Sequence, residues 1–224
     1  MKKQMLFILG ISLCLVETIN AQATTRVDLP AEYVRNNTVG NNGLPEGVQG
    51  SPYFTEGFVA GKVFTEQNNS YTAMLRYNGY SDQIEMKEMD KVTSLLKREY
   101  IYATIGNTTY KIEKYKDNGA TKQGYFVLLN KGEAQLLLRQ QKQFVEGKES
   151  STSYGNKVPP KFVEKEDYYL KLGENEAVPV KLKKKELLKL LGDKKGATEY
   201  VSSEGLKLKN EKEVLQFLNH YNNL

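Results

Sequence analysis

The sequence predicts an α+β protein that is mainly β: an antiparallel meander, folded as a roll, open barrel or sandwich, with a short C-terminal helical cap. Three observations carry this reading. From Ser51 to Val145, short β-type runs alternate with turn signals such as Asn78-Gly79 and Asn118-Gly119, spaced at roughly 8 to 12 residues. Beyond Lys184 the apolar period lengthens from two to three or four. The single cysteine, Cys14, lies in the N-terminal apolar run, so no disulfide supports the fold and a packed core must.

The chain opens with Lys2 and Lys3, an apolar run from Met5 to Val16, and Ala21 and Ala23 in an A-Q-A arrangement suited to signal peptidase. A transmembrane span needs roughly 20 apolar residues, and Glu17 ends this run short of that. The expectation is an export signal removed near residue 21 or 23. It leaves a mature chain without a transmembrane span, working in the periplasm, at the outer envelope or beyond. A lipid anchor on Cys14 is disfavoured, because Leu13 precedes it and Leu15 and Val16 follow.

Residues 24–50, rich in Asn, Gly and Pro, read as an extended or disordered arm, in which Val27, Leu29, Tyr33 and Val34 could add one edge strand. Residues 51–182 read as the antiparallel β domain. Gly61 to Phe64 is its first strand. Tyr71 to Tyr77 follows, alternating toward Met74 and Arg76, and Asn78-Gly79 signals a hairpin because both residues tolerate positive φ. Gln83 to Lys87 sets Ile84 and Met86 against polar neighbours, and Tyr100 to Ile105 is aromatic and β-branched. Thr108 to Tyr115 places Tyr110 and Ile112 on one face, with Lys111 and Glu113 on the other. Tyr125 to Leu129 runs without alternation, as a central strand covered on both faces would. Ala134 to Phe144 has helical character in its Leu cluster, but its place in a train of hairpins favours a strand. A polar loop near 146–160 ends in two prolines. Tyr168 to Leu172 and Ala177 to Leu182 then form a hairpin across Gly173-Glu174-Asn175.

Residues 183–224 read as the helical cap. Leu187, Leu188, Leu190 and Leu191 form one apolar stripe, closed by Gly192. Asp193 is placed to cap a second helix that Gly205 stops. Asn210 and Glu213 have capping-box spacing before a third helix with Val214, Leu215, Phe217, Leu218 and Tyr221 on its apolar face. Such short helices need packing partners.

Without residues 1–23 the chain carries 30 basic and 26 acidic residues. Lysine supplies 27 of the 32 basic residues in the whole chain, and arginine is the residue suited to bidentate base and phosphate contacts, so nucleic acid is not the expected partner. Catalytic parts are scarce. His220 is the only histidine, the fifth residue from the end as given, and reads as a surface residue. An ordinary zinc site has no ligands to use, and no calcium-loop, P-loop or dinucleotide pattern occurs. Glu85, Glu88 and Asp90 sit beside lysines and read as surface salt pairs rather than a hydrolytic carboxylate pair. No cofactor is expected.

Two features could bind. Lys181, Lys183, Lys184, Lys185 and Lys189, with Lys194 and Lys195, concentrate positive charge and could meet anionic headgroups or acidic glycans. Tyr71, Tyr77, Tyr80, Tyr100, Tyr102, Tyr110, Tyr115 and Tyr125 could line a cleft, or pack across strands.

The stretch GSPYFTEGFVAGKVF from Gly50, with Leu75-Arg76-Tyr77-Asn78, Asp82 to Glu85 and the tail KKKELLKLLGDKK, is similar to a pattern in uncharacterised exported proteins of Gram-negative bacteria. The resemblance implies an envelope location and a β-rich body with a helical end, and carries no activity with it. The functional expectation is a non-catalytic envelope protein that binds or scaffolds an envelope protein, glycan or lipid. The alternatives are a periplasmic carrier of an apolar ligand in a β-roll pocket and, behind it, a carboxylate-dependent hydrolase.

Overall fold

The computed structural model describes residues 29–36, 45–66, 69–148, 158–192 and 196–224. The expected export signal, Asp193 and loop residues 149–157 lie outside the described residues. Eleven strands form one sheet: β1 (Val34–Asn36), β2 (Val59–Phe64), β3 (Ser70–Asn78), β4 (Gln83–Glu88), β5 (Lys91–Leu95), β6 (Tyr102–Ile105), β7 (Thr108–Asp117), β8 (Ala120–Leu128), β9 (Ala134–Val145), β10 (Lys161–Leu172) and β11 (Val178–Pro179). Three helices follow: α1 (Lys184–Leu191), α2 (Ala197–Ser203) and α3 (Glu211–Asn222). The protein is therefore mainly antiparallel β with short helices at its end.

The strand order is β1-β5-β4-β3-β2-β6-β7-β8-β9-β10-β11, and every strand pair is antiparallel. Two meanders therefore meet at the β2–β6 pair. The connection from β5 to β6 crosses back past three strands, with Leu95 and Ile101 buried under it. Both edges are short, and β11 carries Pro179, which blunts edge-to-edge pairing. The arm expected to be extended contributes β1 as the edge strand beside β5.

One face of β2 to β8 encloses Val63, Ala73, Leu75, Tyr77, Ile84, Met86, Ile101, Ala103, Tyr110, Ile112, Tyr125 and Val127. The other face of β7 to β10 buries Tyr115, Phe126, Leu137 and Tyr169. The unalternated run from Tyr125 is thus covered on both sides, with Tyr125 and Val127 in one cluster and Phe126 in the other. Burying each such side chain contributes roughly 1.5–3 kcal/mol before conformational entropy opposes it. The helices cover one end, where Val201, Val214, Phe217 and Leu218 pack on Ala134, Leu136 and Leu170 of β9 and β10.

Several local expectations change. On β3 the buried face is Ala73, Leu75 and Tyr77, while Met74 is exposed. Strand β5 has no counterpart in the reading of the sequence. The β3–β4 connection is a hairpin, yet the turn runs from Gly79 to Asp82 and Asp82 carries the positive φ, 52°. Gly79 serves close approach instead: a Cβ there would lie 2.8 Å from Phe54 and 3.1 Å from the Lys142 backbone nitrogen. At Asn118-Gly119 both residues do take positive φ, 50° and 82°. Helix α2 starts after Gly196, which supplies no side-chain cap. Asn210 caps α3 by accepting Glu213 N–H at 2.9 Å, but the Glu213 carboxylate reaches past the cap to accept the backbone N–H groups of Lys207 and Lys209.

Gly124 on β8 lies beneath the guanidinium of Arg139, where a Cβ would collide with the planar group. Gly124→Ala should therefore lower unfolding stability in urea by about 2 kcal/mol or more, as over-packing does. Gly57→Ala, with open space around it, should stay within about 0.5 kcal/mol of wild type.

Candidate functional site

The buried charges come first, because catalysis would draw on them. Strands β8 and β9 pair only at Val127–Leu138 and Leu128–Leu137, then separate. The β3–β4 turn occupies the gap. Asp82 Oδ1 accepts the Tyr125 N–H at 3.2 Å, Arg139 Nη1 donates to Tyr125 O at 3.0 Å, and Lys142 N–H donates to Gly79 O at 3.0 Å. Asp82 Oδ2 takes Lys97 Nζ at 2.6 Å and lies 3.5 Å from Arg139 Nη2. The Tyr77 hydroxyl stands 2.9 Å from Asp82 Oδ1 and 3.0 Å from Gln140 O, and donates its one proton to either. Burial alone would raise the Asp82 pKa; Arg139, Lys97 and the Tyr77 hydroxyl outweigh it and hold the carboxyl below its ordinary value. Burial pushes the Tyr110 hydroxyl up to about 12, and those of Tyr77 and Tyr125 higher still.

The other buried carboxylates are similarly engaged. Glu85 is 1% exposed; its Oε2 binds Arg76 at 2.6 Å and its Oε1 accepts Asn78 Nδ2 at 2.9 Å. Glu85 is thus a buried ion-pair residue, not the surface group its alternation suggested. Glu113 pairs with Lys171 at 2.5 Å. Each of these acids is held by a cation, an arrangement that fixes its position. No group of three or more metal-ligating side chains converges among the described residues. His220 stacks on Tyr200, ring centroids 3.7 Å apart.

A cleft of about 370 Å³ opens where residues 45–56 strap across the start of β10, lined by Pro45, Val48, Gly50, Ser51, Pro52, Tyr53, Glu56 and Phe162. Two contacts fix the strap. Gln49 accepts Phe162 N–H and donates to Pro160 O, both at 2.9 Å, and Pro52 O accepts Gly79 N–H at 2.9 Å. Arg76, already on Glu85, donates to Glu56 O at 3.0 Å and lies 3.5 Å from the Tyr53 ring centroid. Phe162 is braced edge-on by exposed Tyr80 at 5.3 Å and by Phe144 at 5.4 Å. The Glu56 side chain is exposed at the rim.

The G-S-P-Y stretch thus supplies four of the eight lining residues. The tyrosines singled out in the sequence do not line this cleft: Tyr77, Tyr110 and Tyr125 pack inside the sheet, Tyr115 packs on its other face, and Tyr80 only buttresses Phe162. The signal for Tyr53 was its place between Pro52 and the first strand, a loop position held by a rigid scaffold. Lys181, Lys183, Lys185 and Lys189 are exposed and Lys184 is half-buried, all on the helical end. No helix among the described residues is long and apolar enough to cross a membrane. Comparisons with protein-family models, curated proteins and solved structures find no match.

The Asp82 arrangement fixes a pH dependence. The folded-state pKa lies below the unfolded value, near 3.9 for aspartate, so the contribution is complete above that value. It fades as pH falls through the lower folded pKa. Asp82→Asn should cost about 3 kcal/mol at pH 7, where Lys97 and Arg139 lose their carboxylate. The gap between variant and wild type, followed by urea unfolding, should narrow as the pH drops below 4.

Proposed function

We propose that this is an exported, non-catalytic binding module of the cell envelope, and that its recognition site is the cleft between the 45–56 strap and Phe162. The observation that carries the reading is the cleft itself: a preformed concavity at the small end of the ligand-site range, with ring and proline surfaces on its walls and one exposed carboxylate, Glu56, at its rim. Such walls fit the apolar face of a sugar or a small ring, with Glu56 accepting a hydroxyl or amine. The engagement of Asp82, Glu85 and Glu113 in ion pairs supports binding over hydrolysis, because a catalytic pair needs two carboxyl groups facing one open site. Carriage of an apolar ligand inside the roll draws no support from the void bounded by Phe54, Leu75, Tyr77 and Tyr110. Its volume of about 20 Å³ admits a single water.

The test is an NMR titration of the protein with a panel of envelope-type oligosaccharides and amino sugars. Shifts should centre on Tyr53, Glu56 and Phe162. Val48→Trp, which fills the cleft from a half-buried position, should weaken binding at least tenfold while leaving the thermal midpoint within a few degrees. Ligand shifts that survive Val48→Trp would move the site elsewhere, and turnover of any panel member would end the non-catalytic reading.

A further inference from the structure

The charge of this chain is divided unevenly. Residues 24–180 hold twenty basic and twenty acidic residues, while residues 181–224 hold ten lysines, no arginine and six acidic residues. The excess of the exported chain therefore resides in its helical end. The ion pairs follow the same division: those among the described residues draw their cations from the strands, including Arg76, Lys114, Lys116, Lys122 and Lys171, and from Lys97 in the β5–β6 connection, and none uses a lysine of the helical end.

These lysines are arranged by the fold. The sequence Lys-Leu-Lys occurs at 181–183 and again at 207–209, each time just ahead of a helix, α1 or α3. In both triplets the leucine packs into the helical core: Leu208 is wholly buried, taking a φ of 52° to get there, and Leu182 packs on the same cluster. The flanking Lys181, Lys183, Lys207 and Lys209 are exposed. Tyr168 bonds a residue next to each triplet. Its carbonyl accepts Val180 N–H at 2.9 Å, and its hydroxyl donates to Glu211 Oε2 at 3.1 Å. At the other end, the Tyr221 hydroxyl of α3 donates to Leu191 O at the end of α1, a second tie between the two helices.

We infer that the paired Lys-Leu-Lys lead-ins form one docking surface, and that its partner is an anionic lipid bilayer. Lysine is a point charge on a flexible stem, suited to a fluid layer of phosphate headgroups; a fixed array of carboxylates or sulfates favours arginine's rigid fork. The aromatic residues of this end are also unavailable to stack on sugars, since Phe217 and Tyr221 are buried and Tyr200 is stacked on His220. This surface is independent of the Phe162 cleft.

The experiment is sedimentation with vesicles of 30 mol% phosphatidylglycerol in phosphatidylcholine, against phosphatidylcholine alone, at 0.1 M NaCl. The protein begins at Thr24, so that the apolar run Met5 to Val16 cannot itself insert. Binding should require the anionic lipid and fall steeply at 0.5 M NaCl. Replacing Lys181, Lys183, Lys207 and Lys209 by Gln should weaken it by about fivefold per lysine. The matched variant replacing the exposed sheet lysines Lys62, Lys87, Lys91 and Lys161 should bind as wild type. Val48→Trp should bind vesicles normally, which separates this inference from the cleft. Equal binding to neutral vesicles, or equal losses in the two quadruple variants, would overturn it. So would capture by dextran sulfate without capture by vesicles.

Discussion

The contact between Asp82 and Arg139 across the opened β8–β9 ladder is the constraint on which the rest of the sheet depends. Once those strands part, the N–H and C=O of Tyr125 face a buried gap without ladder partners, and buried backbone polar groups must be paired. Asp82 takes the N–H and Arg139 supplies the C=O partner, so two side chains complete what β9 leaves open. Because Asp82 lies at the tip of the β3–β4 hairpin, satisfying Tyr125 also fixes how far the sheet curls. Lys97 brings the β5–β6 connection to the same carboxylate. Three segments distant in sequence thus meet at one charge. Gly79 and Gly124 follow from this, since both must let the turn and the guanidinium approach backbone closely.

That closure also builds the cleft. Gly79 N–H donates to Pro52 O while Gly79 O accepts from Lys142, so the turn that plugs the sheet is the anchor of the strap. Arg76 completes the link: it pairs with buried Glu85, stacks on Tyr53 and bonds the strap carbonyl at Glu56. A desolvated ion pair of this kind is weak as a stabiliser but strong as a positional device. The lining residues stand on a loop, yet the loop has few ways to move that do not break a buried contact.

Much of this was legible locally, and what was not is long-range. The unbroken Tyr125 run announced a strand covered on both faces, Asn118-Gly119 announced its turn, and Asn210 announced a helix start. Each signal lies within a few residues of its effect. Asn78-Gly79 announced the β3–β4 hairpin, but for a different reason: the glycine there answers to Phe54 and Lys142, neither of which is near it in sequence, and Asp82 takes the positive φ. Asp82 reads as an ordinary turn residue until Arg139 and Lys97 are placed around it. The β3 face was ambiguous for a related reason: Arg76 and Met74 share a side, and only pairing with Glu85 on β4 shows that this side holds the ion pair and Ala73, Leu75 and Tyr77 the core. The cleft needed β10 beside the strap, and the G-S-P-Y stretch alone does not specify that neighbour.

Strand β10 sets the relation between the two surfaces. Phe162 stands at its beginning, and Tyr168 and Leu170, which seat the helical end, stand toward its finish. At about 3.3 Å per residue, Phe162 and Leu170 are separated by roughly 26 Å along the strand. A protein held to an anionic bilayer through Lys181, Lys183, Lys207 and Lys209 would then carry the Phe162 cleft well beyond the Debye length, about 8 Å at physiological ionic strength. The surface potential that holds the helical end would be screened at the cleft, so Glu56 could select a hydroxyl or amine without competition from the membrane's own field. The neutrality of residues 24–180 fits such a division, since the net positive charge lies beyond residue 180, away from the ring surfaces of the cleft.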